Sequence, residues 1–198
     1  MSVMRKEKEK MDVMDAIMSR RSIRKYKSTT VSEEDLNAIL EAMRWAPSWA
    51  NSQCWEVIVV TEKKIREQLC GAFDPAVRNP GVGAISTAPV VLVMAAKRER
   101  AGYYYGKAVT KYGDWFMFDL ALAMENITLA AHNRGLGTVI LGYFDHDAVA
   151  RILQIPDDLF VVTMSPLGYP DEMPRTPARK PMAECASYEK YGQRLKPS

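Results

Sequence analysis

The stretch "PVVLVMAA" at residues 89–96 decides how this chain folds. Four branched aliphatic residues follow the proline, then a methionine and two alanines, with no polar side chain among them. A strand with one wet face alternates apolar and polar residues. This one does not, so both of its faces need cover. Such a strand lies inside a sheet with helices above and below it. No regular strand–helix–strand repeat runs through the chain, which points to an α+β fold with helices on both sides of a small sheet.

Upstream, "CWEVIVVT" (54–61) predicts a second buried strand, and "EKKIREQLCGAF" (62–73) a short amphipathic helix. Residues 11–19, "MDVMDAIMS", place Met11, Met14, Ile17 and Met18 on one helical face. Ser32 with Asp35 three residues on has the form of a capping box, and opens a helix with Leu36, Ile39, Leu40 and Met43 on one stripe. Pro47 stops it.

Downstream, residues 97–113 show no clear period and form a long connection of the kind that often carries function. Residues 114–134 are apolar nearly all round, with Asp114 as N-cap and Gly135 as the stop. Such a helix belongs in a core or a subunit interface. "GTVILGYF" (137–144) predicts a strand, "DHDAVARIL" a short helix capped by Asp145, and "LFVVTMSPLGYP" (159–170) a last core strand. Residues 1–10 read as a solvated tail. Residues 171–198, rich in proline and charge but carrying Tyr188 and Tyr191, read as an arm that packs on something, such as a second subunit.

The chain has 198 residues, 47% hydrophobic and 26% charged, which fits one ordinary globular domain. Its net charge of +3 is too small for a dedicated nucleic-acid binder. Cys54, Cys70 and Cys185 are odd in number and widely spaced, and His132 and His146 are the only histidines. Neither a zinc site nor a disulfide framework is expected, and both histidines read as structural. The N-terminal "MSVMRKEKEKM" has no apolar core and no run reaches a membrane span, so a cytoplasmic protein is expected.

Two clusters hold the available chemistry. In "RRSIRKY" (20–26), extended backbone lets Arg20, Ser22 and Arg24 converge on one anion, and guanidinium forks match phosphate. Charge alone leaves a solvated basic turn equally open, and a nucleic acid or an acidic protein face would also answer it. In "WAPSWANSQCW" (45–55), Ser48, Asn51, Ser52 and Gln53 offer donors and acceptors to a heteroaromatic ring or a polyol; a capped polar connection is the simpler alternative. No G-x-S-x-G, P-loop or G-x-G-x-x-G motif is present. An anion site without proton-transfer partners suits an enzyme whose reactive atoms belong to a cofactor.

Together these clusters, with "APVVLVM" (88–94), "GLGTVILGYF" (135–144) and "PLGYPDEMPRTPARKP" (166–181), resemble the FMN-dependent nitroreductase family in order and spacing over nearly the whole chain. The resemblance implies an intertwined homodimer with a mixed, mainly antiparallel sheet flanked by helices, and two FMN sites at the subunit interface. It assigns the flavin phosphate to Arg20, Ser22 and Arg24, with Arg21 beside them and Arg179 or Lys180 arriving from the C-terminal region. It sets Pro47, Ser48 and Asn51 of the partner along the flavin, with Gln53 in support. Asn79 is similar to the family's flavin-contacting asparagine, and the backbone of Leu141 and Gly142 is expected near flavin N5.

The implied reaction is ping-pong. NADH or NADPH passes a hydride to the flavin and leaves, and a small planar acceptor such as a nitroaromatic or quinone takes its place. Another reaction of the same fold, such as reductive dehalogenation, is the alternative. Tyr103, Tyr104 and Tyr105, with Trp49, are candidates to stack on the substrate. Two departures from the family pattern stand out: Cys54 replaces a proline before the tryptophan, and Leu141 replaces a glutamate.

Overall fold

The computed structural model describes residues 11–194. In chain order its elements are α1 (Val13–Ser19), α2 (Glu33–Arg44), β1 (Trp55–Val60), α3 (Lys63–Cys70), α4 (Pro80–Thr87) and β2 (Val90–Lys97). There follow β3 (Tyr103–Tyr104), β4 (Lys107–Ala108), α5 (Phe116–Asn133), β5 (Gly137–Thr138), α6 (His146–Leu153), β6 (Leu159–Gly168) and α7 (Met182–Cys185). The segment expected as a tail, 1–10, lies outside the described residues.

The stretch that decides the fold is β2, and it is central. The sheet order is β1-β2-β6-β5, with every strand pair antiparallel. Val91 and Val93 face one apolar cluster, where Leu69 of α3, Ile85 of α4 and Val149 of α6 pack. Val90, Leu92 and Met94 face the other, built from Ile39 of α2 and Leu120, Met124 and Ile127 of α5. Both faces are therefore covered by helices, as the lack of alternation demanded.

The capping box at Ser32 forms, and Asp35 does more than cap. Ser32 Oγ accepts from Asp35 N–H at 3.1 Å and donates to Asp35 Oδ2 at 2.8 Å. Arg134, just beyond α5, donates to Asp35 Oδ1 at 2.7 Å, and the Tyr169 hydroxyl lies 3.4 Å from Oδ2. One carboxylate thus ties the start of α2 to the end of α5 and the end of the sheet. Burial works to raise its pKa, but the hydrogen bonds from Arg134, Ser32 and Tyr169 outweigh burial and hold it below the ordinary range. A folded-state pKa below the unfolded one gives stability that is complete above about pH 4 and is lost as pH falls through the folded value. Asp35→Asn is expected to cost about 1 kcal/mol near neutral pH. The cost should vanish in acid, where the wild-type carboxyl is itself protonated. Urea melts of both proteins across pH 2–7 check this; a cost independent of pH would contradict it.

Three elements differ from expectation. Residues 80–87 form α4, a helix not read from the sequence. Only Gly137 and Thr138 of the expected strand 137–144 pair as a strand, followed by a single bridge from Leu141 to Met164. The connection 97–113 contains the β3–β4 hairpin. The long helix begins at Phe116, with Asp114 accepting from Phe116 N–H at 3.3 Å and from Glu99 N–H at 2.9 Å.

Helix α5 buries Leu120, Ala123, Met124, Ile127 and Ala131 against the sheet. Met117 and Phe118 on the same helix are more than half exposed, as are Val13, Met14 and Met18 of α1, and Ile17 nearly so. No helix among the described residues is long and apolar enough to cross a membrane.

Candidate functional site

The basic stretch runs extended along the end of the sheet. Ser22 bridges Thr138 in parallel, and Ile23 N–H donates to Thr138 O at 2.9 Å. Tyr26 bridges Pro170, and Lys27 N–H donates to Tyr169 O at 2.9 Å. Buried Ile23 and Tyr26 anchor it. Burial pushes the Tyr26 hydroxyl far up, with the nearby Glu172 charge adding to it, so it stays protonated, 2.6 Å from Ile23 O.

With those anchors set, the arginines divide. Arg21 turns away and braces the C-terminal arm: Nη1 donates to Met18 O and Arg20 O, each at 2.7 Å, and Nη2 to Thr176 Oγ1 at 2.6 Å. Arg24 uses its backbone N–H on Glu172 Oε1 at 2.5 Å, while its guanidinium makes one long contact, 3.5 Å to Ser22 O. Arg20, Arg179 and Lys180 keep their cations without a side-chain acceptor among the described residues. Arg179 joins Arg21, Ile17, Met18 and Thr176 around a groove of 390 Å³. Lys180 follows it, exposed.

Along the same edge, Leu141 and Met164 exchange backbone hydrogen bonds at 2.9 and 3.1 Å. The Leu141 N–H is therefore engaged. Its side chain is buried against α4, where a Cβ on Gly81 would come within 3.0 Å of Leu141 Cδ2. The Gly142 N–H has no acceptor among the described residues, and His146 Nε2 lies 3.2 Å from Gly142 O, with its Nδ1 2.9 Å from Val161 O. Asn79 is the N-cap of α4. Its Oδ1 accepts from Gly81 N–H at 2.8 Å and its Nδ2 donates to Tyr143 O at 3.2 Å, so both ends of the amide position the 141–143 turn.

The second cluster lies elsewhere. Ala50, Asn51 and Gln53 all have left-handed backbone, φ 46°, 55° and 44°. Asparagine tolerates that region; alanine and glutamine pay for it in steric strain. The turn is held from outside: both Asp119 oxygens lie 3.0 Å from Trp49 N, and Ser52 Oγ donates to Oδ2 at 2.9 Å. Inside it, Gln53 N–H donates to Ser48 Oγ at 3.0 Å and Gln53 Nε2 to Asn51 Oδ1 at 3.1 Å. Burial, and then the Asp119 charge, push the Cys54 thiol to about 11, so it stays protonated.

The two clusters sit at opposite ends of α5. Asp119 holds the turn near the N-terminal end. His132 near the C-terminal end lies 2.7 Å from Ser19 Oγ, and burial followed by the charges of Arg20 and Arg21 lowers its pKa. Thirteen residues of helix separate Asp119 from His132, about 20 Å. The structure gathers Arg20, Ser22, Arg24, Gly142 and Asn79 along one edge, and keeps Pro47, Ser48, Asn51 and Gln53 away from it.

The nitroreductase family model matches residues 17–169. The chain belongs to the nitroreductase family. A Methanothermobacter thermautotrophicus protein named for NADH dehydrogenase and NAD(P)H nitroreductase is 33% identical over 171 residues, 84% of this chain and 82% of that protein. The FMN reductase [NAD(P)H] of Bacillus subtilis is 27% identical over 195 residues, 91% of this chain and 74% of that protein. The structure of an FMN-dependent nitroreductase from Clostridium difficile R20291 superposes with a TM-score of 0.71 at 26% identity, covering 84% of this chain and 92% of that one.

In this nitroreductase-family chain the sequence reading passed over one residue of the site region, Asp119. A lone carboxylate inside "WFMFDLALAM" was the available signal. At 1% exposure it is the charged group most deeply placed among the described residues. Trp49 packs its ring on Tyr104, centroids 4.8 Å apart. Tyr103 is half-buried, and Tyr104 and Tyr105 are exposed.

Proposed function

We propose that this nitroreductase-family protein is an FMN-dependent oxidoreductase that works as a homodimer and oxidises NADH or NADPH at the expense of a small planar acceptor. The observation that carries this is the division of the site between the two ends of α5. Arg20, Ser22 and Arg24 present cations and a hydroxyl at one end, and a tight polar turn stands about 20 Å away at the other. Two copies related by a twofold axis, with their α5 helices antiparallel, bring one end of each beside the other end of its partner. The exposed apolar side chains of α1 and of Met117 and Phe118 then find cover.

The donor set fits FMN. The Arg20 and Arg24 guanidinium groups suit a phosphate, with the Ser22 hydroxyl between them and Arg179 or Lys180 adding charge from the arm. Gly142 offers an N–H without an acceptor among the described residues, which would serve as a donor toward the flavin ring; Leu141 supplies only a rigid backbone. Ser48 and Asn51 of the partner would line the flavin, with Gln53 and Asp119 holding them. Asn79 holds the turn that carries Gly142.

Bound FMN would supply the redox chemistry, as a hydride acceptor toward NAD(P)H and a two-electron donor toward the second substrate. The chain's own part is to bind the phosphate, orient the ring and wall the space above it. Relatives named for FMN and NAD(P)H support the reading. Purified protein is expected to be yellow, to lose its visible flavin band on anaerobic addition of NAD(P)H, and to sediment at twice the monomer mass of 22.3 kDa. Protein that stays colourless after incubation with FMN would overturn it. Parallel double-reciprocal plots would establish the ping-pong order.

A further inference from the structure

The segment 97–113 is built as a finger with a closed neck. Val109 N–H donates to Gly102 O at 2.9 Å and Trp115 N–H to Ala101 O at 3.0 Å. Gly102 has φ 81°, and a Cβ there would lie 2.5 Å from Gly113 O, so the neck admits no side chain. Beyond it, Tyr103 pairs with Ala108 and Tyr104 with Lys107. Tyr105 and Gly106 make the two-residue turn with φ 49° and 72°.

Two left-handed residues in a hairpin turn favour Asn-Gly. Here a bulky aromatic holds the first position, against its backbone preference. Packing does not account for it, because Tyr105 is 103% exposed. Backbone strain that no packing among the described residues offsets is a marker of function.

Residues directly opposite in an antiparallel pair share a face. Tyr104 lies on Trp49, so Lys107 stands on that same face, toward the turn of Ser48 and Asn51. Its ammonium has no ion-pair partner among the described residues.

We infer that this finger is a specificity element that selects a planar aromatic acceptor carrying a negative charge. Tyr104 and Tyr105 offer ring faces and Lys107 the cation. The inference rests on the flavin reading above, because that reading sets Ser48 and Asn51 against the partner's flavin. With a quinone as acceptor, each turnover oxidises one NAD(P)H to NAD(P)+ and gives the quinone two electrons and two protons, one proton coming from solvent.

The test uses the flavin-loaded dimer with two acceptors of one ring system, a naphthoquinone sulfonate and the uncharged menadione. Lys107→Glu is expected to raise KM for the sulfonate about tenfold at low salt and much less at high salt, with menadione changed less than about twofold. Tyr105→Asn is expected to raise the melting temperature, because asparagine relieves the turn. The same change should raise KM for both quinones about fivefold. Bound-flavin absorbance should hold at the wild-type value in both variants. Unchanged KM values in both, with flavin still bound, would overturn the finger's role and leave the flavin reading standing. Wild-type protein that takes up no flavin would instead overturn the flavin reading.

Discussion

Asp119→Ala is expected to cost about 2–4 kcal/mol of stability, lowering the melting temperature by roughly 5–15 °C, and to abolish flavin retention. The carboxylate is buried and answers the Trp49 N–H and the Ser52 hydroxyl together. Alanine leaves both donors unsatisfied beside the α5 core, each with its own desolvation penalty. The turn they hold contains three non-glycine residues in left-handed backbone, so it has little reason to keep its shape alone. Asp119→Asn should fall between, since its amide oxygen can still accept while its NH2 faces another donor. Calorimetry and FMN titration of the three proteins check this. An alanine variant with wild-type stability would show that the turn is held by something else.

The second large effect concerns the proposed phosphate grip. Arg20→Ala and Arg24→Ala should each weaken FMN binding by about 1.5–3 kcal/mol, roughly 10- to 150-fold in Kd. Neither substitution should lower stability by more than about 0.5 kcal/mol, because neither guanidinium makes a strong contact within the described chain. Arg21→Ala should behave in the opposite way. Its guanidinium braces Met18, Arg20 and Thr176, so the loss is of the C-terminal arm's position. Fluorescence titration of FMN into each apoprotein separates these cases. Unchanged affinity in both the Arg20 and Arg24 variants would remove the phosphate assignment.

The fold was legible where one physical signal dominated. "PVVLVMAA" had no polar alternation and became the central strand, and Ser32 with Asp35 formed the capping box its spacing announced. Helix α4 was not legible, because "PGVGAIST" carries a proline, two glycines and three β-branched residues, all poor helix formers. Tertiary packing overrides propensity there: Asn79 caps it, and Ala84 and Ile85 are fully buried under the sheet. The stretch 137–144 looked like a strand because it is apolar. It pairs as a strand only at Gly137 and Thr138, and its remaining length, apart from the single bridge at Leu141, turns to place Leu141 in the core and Gly142 outside.

The candidate site was legible as residue types and not as partnerships. Nothing in "RRSIRKY" says that Arg21 is the one arginine committed to bracing. Asn79 is a ligand contact only by the family resemblance, and its amide is engaged at both ends in holding a turn. Asp119 is separated from Trp49 by 70 positions, a pairing that only the folded chain brings together.

The length of α5 has a genetic consequence. In the twofold dimer proposed above, its two ends would belong to different sites. At FMN concentrations too low to fill the weakened site, an Arg20→Ala chain and an Asp119→Ala chain, each unable to form a working site alone, would carry their defects in separate halves. When the two are co-expressed, mixed dimers collect both lesions in one site and leave the other site wild type. Random pairing would then restore about a quarter of full activity from two inactive parents. A protein whose site lay within one chain would show no such rescue.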